Sequence, residues 1–155
     1  SGAIGIEFAS FYRDLGAVID RSLAKNGRGL IHSIGRVRSE PLSPWIERRI
    51  FPGAYPPTLT EMLSILEPWD LSVLDVENLR LHYEMTLRRW LERYEKSFEQ
   101  VVQKFDESFA RAWRLYLAGS AAAFEGSSLH LFQVTFSRAA NNEIPWTRAH
   151  LYRDA

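Results

Sequence analysis

Few residues in this chain have side chains able to do chemistry. His32 lies inside LIHSIG (Leu30–Gly35), an apolar run between glycines. An imidazole there can donate or take a proton, although a histidine in a buried strand is more often a satisfied core residue. Tyr83 offers a phenol hydroxyl from the apolar side of a long helical pattern; alone, it reads as core packing with its hydroxyl at the rim. Glu7 offers a carboxylate near the start of a helix, where negative charge is favourable in any case. His82 points about a quarter-turn from Tyr83 and reads as a surface or loop contact. His130 and His150 have no partners at metal-ligand spacing, and no zinc, nucleotide or Ser-His-Asp pattern is present. The cluster Arg36, Arg38, Arg48 and Arg49 reads as solvated loop, with a phospholipid headgroup contact as the weaker reading.

These candidates depend on the elements that carry them. Tyr83 belongs to LRLHYEMTLRRWLERYEKSFEQVVQKF (Leu79–Phe105), where Tyr83, Leu87, Trp90, Leu91, Tyr94, Phe98, Val101, Val102 and Phe105 recur at steps of three and four. The opposite face carries Arg88, Arg89, Glu92, Arg93, Glu95, Lys96 and Glu99, and Glu84–Arg88 and Glu92–Lys96 stand at ion-pair spacing. A bend or break is expected near Ser97. His32 belongs to Arg28–Gly35, a short strand flanked by glycines, preceded by a helix over Phe8–Lys25 with Gly27 as its left-handed cap. Ala3–Ile6 reads as the end of a buried strand. Val37–Pro57 is a proline-rich excursion, the form that lids and binding loops take, with a short helix after Pro44. Thr58 and Glu61 form a capping-box pattern for a helix over Thr58–Leu66. Leu71–Val76 reads as a strand. Asp106–Gly126 reads as a helix with Phe109, Trp113, Tyr116, Leu117 and Phe124 inward, its small run Gly119–Ala123 permitting a neighbouring backbone to come close. Leu129–Ser137 alternates as a strand, and Trp146–Tyr152 reads as a last strand or a loose tail.

The 155 residues suit one domain, and 46% hydrophobic with 25% charged residues is the balance of a soluble globular chain. A formal net charge of zero gives no global attraction to nucleic acid, and no nucleic-acid partner is expected. With no cysteine there is no disulfide framework, thiolate nucleophile or cysteine metal site. No apolar run nears the ~20 residues that span a bilayer, and no leader is visible, so a cytoplasmic setting is expected.

Three stretches together carry a resemblance: LIHSIG (Leu30–Gly35), FPGAYPPT (Phe51–Thr58) and HYEMTLRRWLERY (His82–Tyr94), with QVTFSR (Gln133–Arg138) as a closing strand. Their pattern resembles the carboxy-terminal half of the cyclopropane fatty acid synthase and mycolic acid cyclopropane synthase family, from about Ile4 to Arg138. The spacing HY-x-x-TL-x-x-W is the more specific part. The resemblance implies a methyltransferase that uses S-adenosylmethionine and adds a carbon to the double bond of an unsaturated acyl chain. It further implies a carbocation after methyl transfer, and a bound bicarbonate that takes the proton. The bicarbonate cradle maps onto the imidazole of His32, the backbone amide of Ile34, the hydroxyl of Tyr83 and, in a poorer match, the carboxylate of Glu7. A small anion beside an apolar chain needs such donors, because an uncompensated buried charge is costly.

The family's glycine-rich cofactor loop, its ribose-binding acidic residue and its bicarbonate-binding cysteine have no counterpart here. The expected architecture is therefore α/β: the second half of a Rossmann-like class I methyltransferase sheet, its first half absent. Residues 1–155 form a single domain, with 37–70 as a lid and 79–126 as the helical wall of an acyl site. The closing strand is expected to insert antiparallel between Arg28–Gly35 and Leu71–Val76. The resemblance implies S-adenosylmethionine and bicarbonate for the full-length enzyme, with neither bound tightly by this piece. It implies an unsaturated acyl lipid as partner and a peripheral position at the inner membrane face. An exposed edge near Ala3–Ile6 is expected to pair in a homodimer. The alternative is a non-catalytic module of the same origin that binds an acyl chain or a partner protein.

Overall fold

The computed structural model describes the backbone of residues 2–152 and the side chains of residues 10–152. Helix α1 (Gly2–Ser22) opens the chain. The strand expected at Ala3–Ile6 is instead the first part of this helix, so no strand edge lies there for a homodimer to pair through. A strand without a neighbour leaves its N–H and C=O groups unmet, whereas a helix closes its own. Gly27 follows in a turn, its N–H donating to the Ala24 carbonyl at 2.9 Å, without the left-handed conformation expected of it.

Strands β1 (Arg28–Gly35), β2 (Leu71–Asn78) and β3 (His130–Arg138) form one sheet in the order β1-β3-β2. The closing strand thus lies between the other two, as expected. Its register against β2 is antiparallel: Leu79 N–H donates to the Leu131 carbonyl at 2.8 Å and Ala139 N–H to the Asp70 carbonyl at 3.0 Å. Residues on both faces of β3 are buried, which is why its alternation does not separate an inner from an outer side. The fold class is α/β.

Two units divide the chain: Ser1–Leu30 with Leu63–Asp75 and Val134–Ala155, and Ile31–Met62 with Val76–Gln133. In the first, Ile65, Leu66, Leu71, Val134 and Phe136 are buried. A side chain at Gly16 of α1 would collide with the Trp69 indole and the Ile65 carbonyl, so glycine sets that approach. Arg138 pairs with Asp20 and donates to the Asp20 and Leu23 carbonyls, covering orphan groups at the end of α1. The final segment is a 3₁₀ turn over Arg148–Tyr152, not a strand, tied by Arg148 Nε to Asp75 at 2.9 Å.

The second unit is built on an antiparallel helical hairpin. Helix α4 (Arg80–Lys104) runs unbroken through Ser97, and α5 (Glu107–Glu125) returns after Phe105 and Asp106. (Between β1 and β2 lie two short helices, α2 at Pro44–Arg49 and α3 at Leu59–Leu63.) Asp106 caps α5 by accepting from Phe109 N–H at 2.7 Å. Leu87, Leu117, Ala121, Phe124 and Leu131 form the core, with Tyr83, Leu91 and Tyr94 packed against it. Phe109 and Trp113, expected inward, are 42% and 36% exposed. The apolar stripe of α5 is wider than the face that α4 covers. Of the two i, i+4 pairs read from α4, Glu84–Arg88 forms, and Arg88 also reaches Glu125 at 2.8 Å.

Candidate functional site

The capping box read from Thr58 and Glu61 is present: Thr58 N–H donates to Glu61 Oε2 at 2.7 Å, and Glu61 N–H to Thr58 Oγ1 at 3.2 Å. It fixes the point where the proline-rich excursion returns. There, Arg36 N–H donates to the Pro57 carbonyl at 2.8 Å and Arg36 bridges to Thr58. Glycine is required at Gly35, because a Cβ would lie 2.6 Å from the Pro57 carbonyl oxygen and 2.9 Å from the Phe132 ring. The excursion is thus a closed loop whose ends meet at the end of β1.

Between that loop and the helical hairpin, within the second unit, is a cavity of about 690 Å³. The loop contributes Leu42, Trp45, Ile46, Phe51 and Tyr55; α4 contributes Tyr83 and Leu87; α5 contributes Leu115, Tyr116, Gly119, Ser120, Ala123 and Phe124; Ile34 closes the strand side. The lining is dominated by carbon, so an apolar ligand entering it loses contact with water. Around Gly119 there is open space where a side chain would stand. The small run on α5 therefore leaves room for the cavity at Gly119 and packs closely only at Ala121, which is buried in the core.

Tyr83 is held by its rings. Its centroid lies 4.8 Å from that of Phe124 and 6.0 Å from that of Trp90, both edge-on. Among the described residues, nothing accepts a hydrogen bond from its hydroxyl. Burial pushes the phenol above its ordinary value, so it stays protonated and able to donate. Burial also raises Tyr116, with the neighbouring Tyr83 adding to the rise and a hydrogen bond to Ser120 opposing it.

The residues read as site candidates divide. Tyr83 and Ile34 line the cavity. His32 is exposed on β1 and is not part of the lining; its Nδ1 lies 3.0 Å from the Gln133 amide nitrogen, which donates to it. Glu7 falls on α1, and its side chain lies outside the described residues. The sequence reading missed Tyr116, Gly119 and the loop aromatics Trp45 and Phe51 as cavity residues. Their signals were the small run on α5 and FPGAYPPT, each of which admits a packing explanation. Among the described residues no group of His, Asp and Glu is arranged to hold a metal, and no helix is long and apolar enough to cross a membrane.

Residues 4–134 match the mycolic acid cyclopropane synthetase family, and the chain belongs to that family. It is 36% identical over 142 residues to a probable fatty acid methyltransferase of Pseudomonas putida, covering 89% of this chain and 36% of that protein. It is 33% identical over 129 residues to the cyclopropane-fatty-acyl-phospholipid synthase of Escherichia coli K12, covering 83% of this chain and 34% of that one. The fold resembles that of mycolic acid cyclopropane synthase CmaA1 complexed with SAH and CTAB, with a TM-score of 0.74 and 24% identity over 81% of this chain and 49% of that one. The chain therefore spans about a third of the length of these curated relatives.

A nucleoside cofactor of this kind needs free amides on a glycine-bearing turn between strand and helix. Among the described residues, the turns after β1 and β2 do not fit that need. Strand β2 passes to α4 through Leu79, which is not glycine and whose N–H is committed to Leu131. After β1, the Arg36 N–H is committed to Pro57.

Proposed function

We propose that this chain supplies the acceptor side of an S-adenosylmethionine-dependent methyltransferase acting on the double bond of an unsaturated fatty-acyl phospholipid. In this reading the 690 Å³ cavity holds the acyl chain, residues 37–70 cover it, and helices within 79–126 wall it. The observation that carries the reading is an apolar cavity lined by Tyr83 in a chain of the cyclopropane synthetase family. In this reading the cofactor is held elsewhere than at the turns after β1 and β2, whose N–H groups are committed. A bicarbonate ion would be held by the Tyr83 hydroxyl and the Ile34 amide, from the two cradle candidates that line the cavity. It would supply the base for the proton lost after carbon transfer.

Binding of a cis-monounsaturated fatty acid to the 155-residue chain tests the cavity. The expected result is saturable binding that Gly119→Phe abolishes; equal binding by the variant removes the assignment. Incorporation of labelled methyl carbon into lipid, assayed with the chain joined to a cofactor-binding half, tests the chemistry. Tyr83→Phe is expected to lower transfer and keep acyl binding. Acyl binding with no transfer in any joined form favours the non-catalytic module instead.

A further inference from the structure

The aromatic residues of the hairpin do not stop at the cavity. Phe105 stands at its turn, and from there rings follow one another along α5. Phe105 and Phe109 stack at 4.6 Å, Phe109 and Trp113 at 6.2 Å, and Trp113 lies 5.1 Å from Tyr116. Tyr116 meets Phe51 edge-on at 5.6 Å, and both line the cavity. The ladder thus begins on the outside of the molecule and ends at the ligand space.

Its outer rungs are open to solvent. Phe105 is 57% exposed, and Leu115 and Phe51, both at the cavity wall, are also exposed. Single apolar side chains on a surface are ordinary, but a contiguous run that leads into a cavity is a contact surface. Three observations identify what it contacts. The run joins a cavity suited to an apolar chain, and such a chain resides in a bilayer rather than free in water. The exposed groups are Phe105 at the hairpin turn and Phe109 and Trp113 on the first two turns of α5, a composition suited to the boundary between headgroups and acyl chains. The turn also carries a cation: Lys104 Nζ lies 5.8 Å over the Phe105 ring, and no carboxylate pairs with it among the described residues. The nearby acids are engaged elsewhere, Asp106 in capping α5 and Glu107 in a pair with Arg111 at 2.5 Å.

We propose that the α4–α5 turn docks on a lipid bilayer surface, with Phe105, Phe109 and Trp113 at the depth of the headgroups, and that the ladder guides an acyl chain from the bilayer to the cavity. The guiding step rests on the acyl-binding reading above; the docking step does not. Lys104 meets headgroup phosphate.

Flotation of the chain with dioleoyl phosphatidylcholine vesicles, with and without phosphatidylglycerol, tests the docking. The wild-type chain is expected to float with vesicles. The triple substitution F105S/F109S/W113S is expected to lower the bound fraction roughly tenfold. Lys104→Gln lowers it only on vesicles containing phosphatidylglycerol, and Trp146→Ser, at an exposed tryptophan of the other unit, leaves it unchanged. Brominated acyl chains quench the wild-type tryptophan emission and quench Trp113→Phe less. Vesicle binding that survives the triple substitution overturns the proposal. So does no wild-type binding, or a ladder-dependent dimer in sedimentation that leaves vesicles untouched. Uptake of monomeric oleate, blocked by Gly119→Phe, is read separately: its retention by the triple variant isolates the docking surface, and its absence in the wild type removes the guiding step alone.

Discussion

The two ends of the α4–α5 hairpin are built differently. At the end near the sheet, Arg80 Nη1 donates to the Phe124 and Glu125 carbonyls at 2.7 and 2.8 Å, covering the orphan groups of α5. Asn78 uses both ends of its amide: Oδ1 accepts from Arg80 N–H at 3.1 Å, and Nδ2 donates to His130 Nδ1 at 2.7 Å. Tyr83 sits one turn further on, packed on the buried Phe124. At the other end, Phe105, Phe109 and Trp113 contact each other and solvent. Across the hairpin, Tyr94 O–H donates to the Ala110 carbonyl at 3.0 Å and Arg114 stacks 3.8 Å over Phe98, keeping the helices in register. The contrast separates a packed end from an open one. At the first the Tyr83 ring is held by its contacts with Phe124 and Trp90, and at the second the rings are left uncovered. In the proposed reading the first faces the reacting chain and the second the lipid surface.

Breaking the fixed end has the largest expected effect. Phe124→Ala empties the core under Tyr83 and should cost about 3–5 kcal/mol, read as a lower midpoint in urea. Arg80→Ala should cost about 1–2 kcal/mol by leaving the part-buried Phe124 carbonyl unpaired, and Arg80→Lys should restore only part of it. Gly119→Phe fills open space, so its stability should stay within about 1 kcal/mol of wild type while fatty-acid binding is lost. At the open end, Phe109→Ser should change stability by no more than about 0.5 kcal/mol, measured by thermal melting. A large loss there would mean that Phe109 is core.

A titration sharpens the same contrast at the smallest scale. Burial raises Tyr83 and Tyr116 above the ordinary value of 10.0, so the folded state holds these protons more tightly than the unfolded chain. That contribution is complete below pH 10 and is lost as pH rises through the folded values. Stability should therefore fall above pH 10, and the double variant Y83F/Y116F should flatten the fall.

Periodicity carried most of the element list. Arg28–Gly35 and the α4 pattern were legible because a strand and a helix each impose a repeat on apolar residues. The capping box at Thr58 was legible because its two partners are local. Ala3–Ile6 was misread because a short apolar run carries no period that separates strand from helix. Phe109 and Trp113 were misread as inward because α5 repeats apolar residues on more of its circumference than α4 covers.

The site divides along the same line. Local spacing was enough to single out Tyr83 and LIHSIG and to support the family that the comparisons then established. Local spacing says nothing about which side chains reach one cavity, because that depends on contacts between segments far apart in sequence. Folding brought Ile34, Phe51, Tyr83 and Gly119 to a common space and left His32 on the exposed face, bonded to Gln133. Which aromatic rings became core and which became surface was decided by how much of each helix its neighbour could cover.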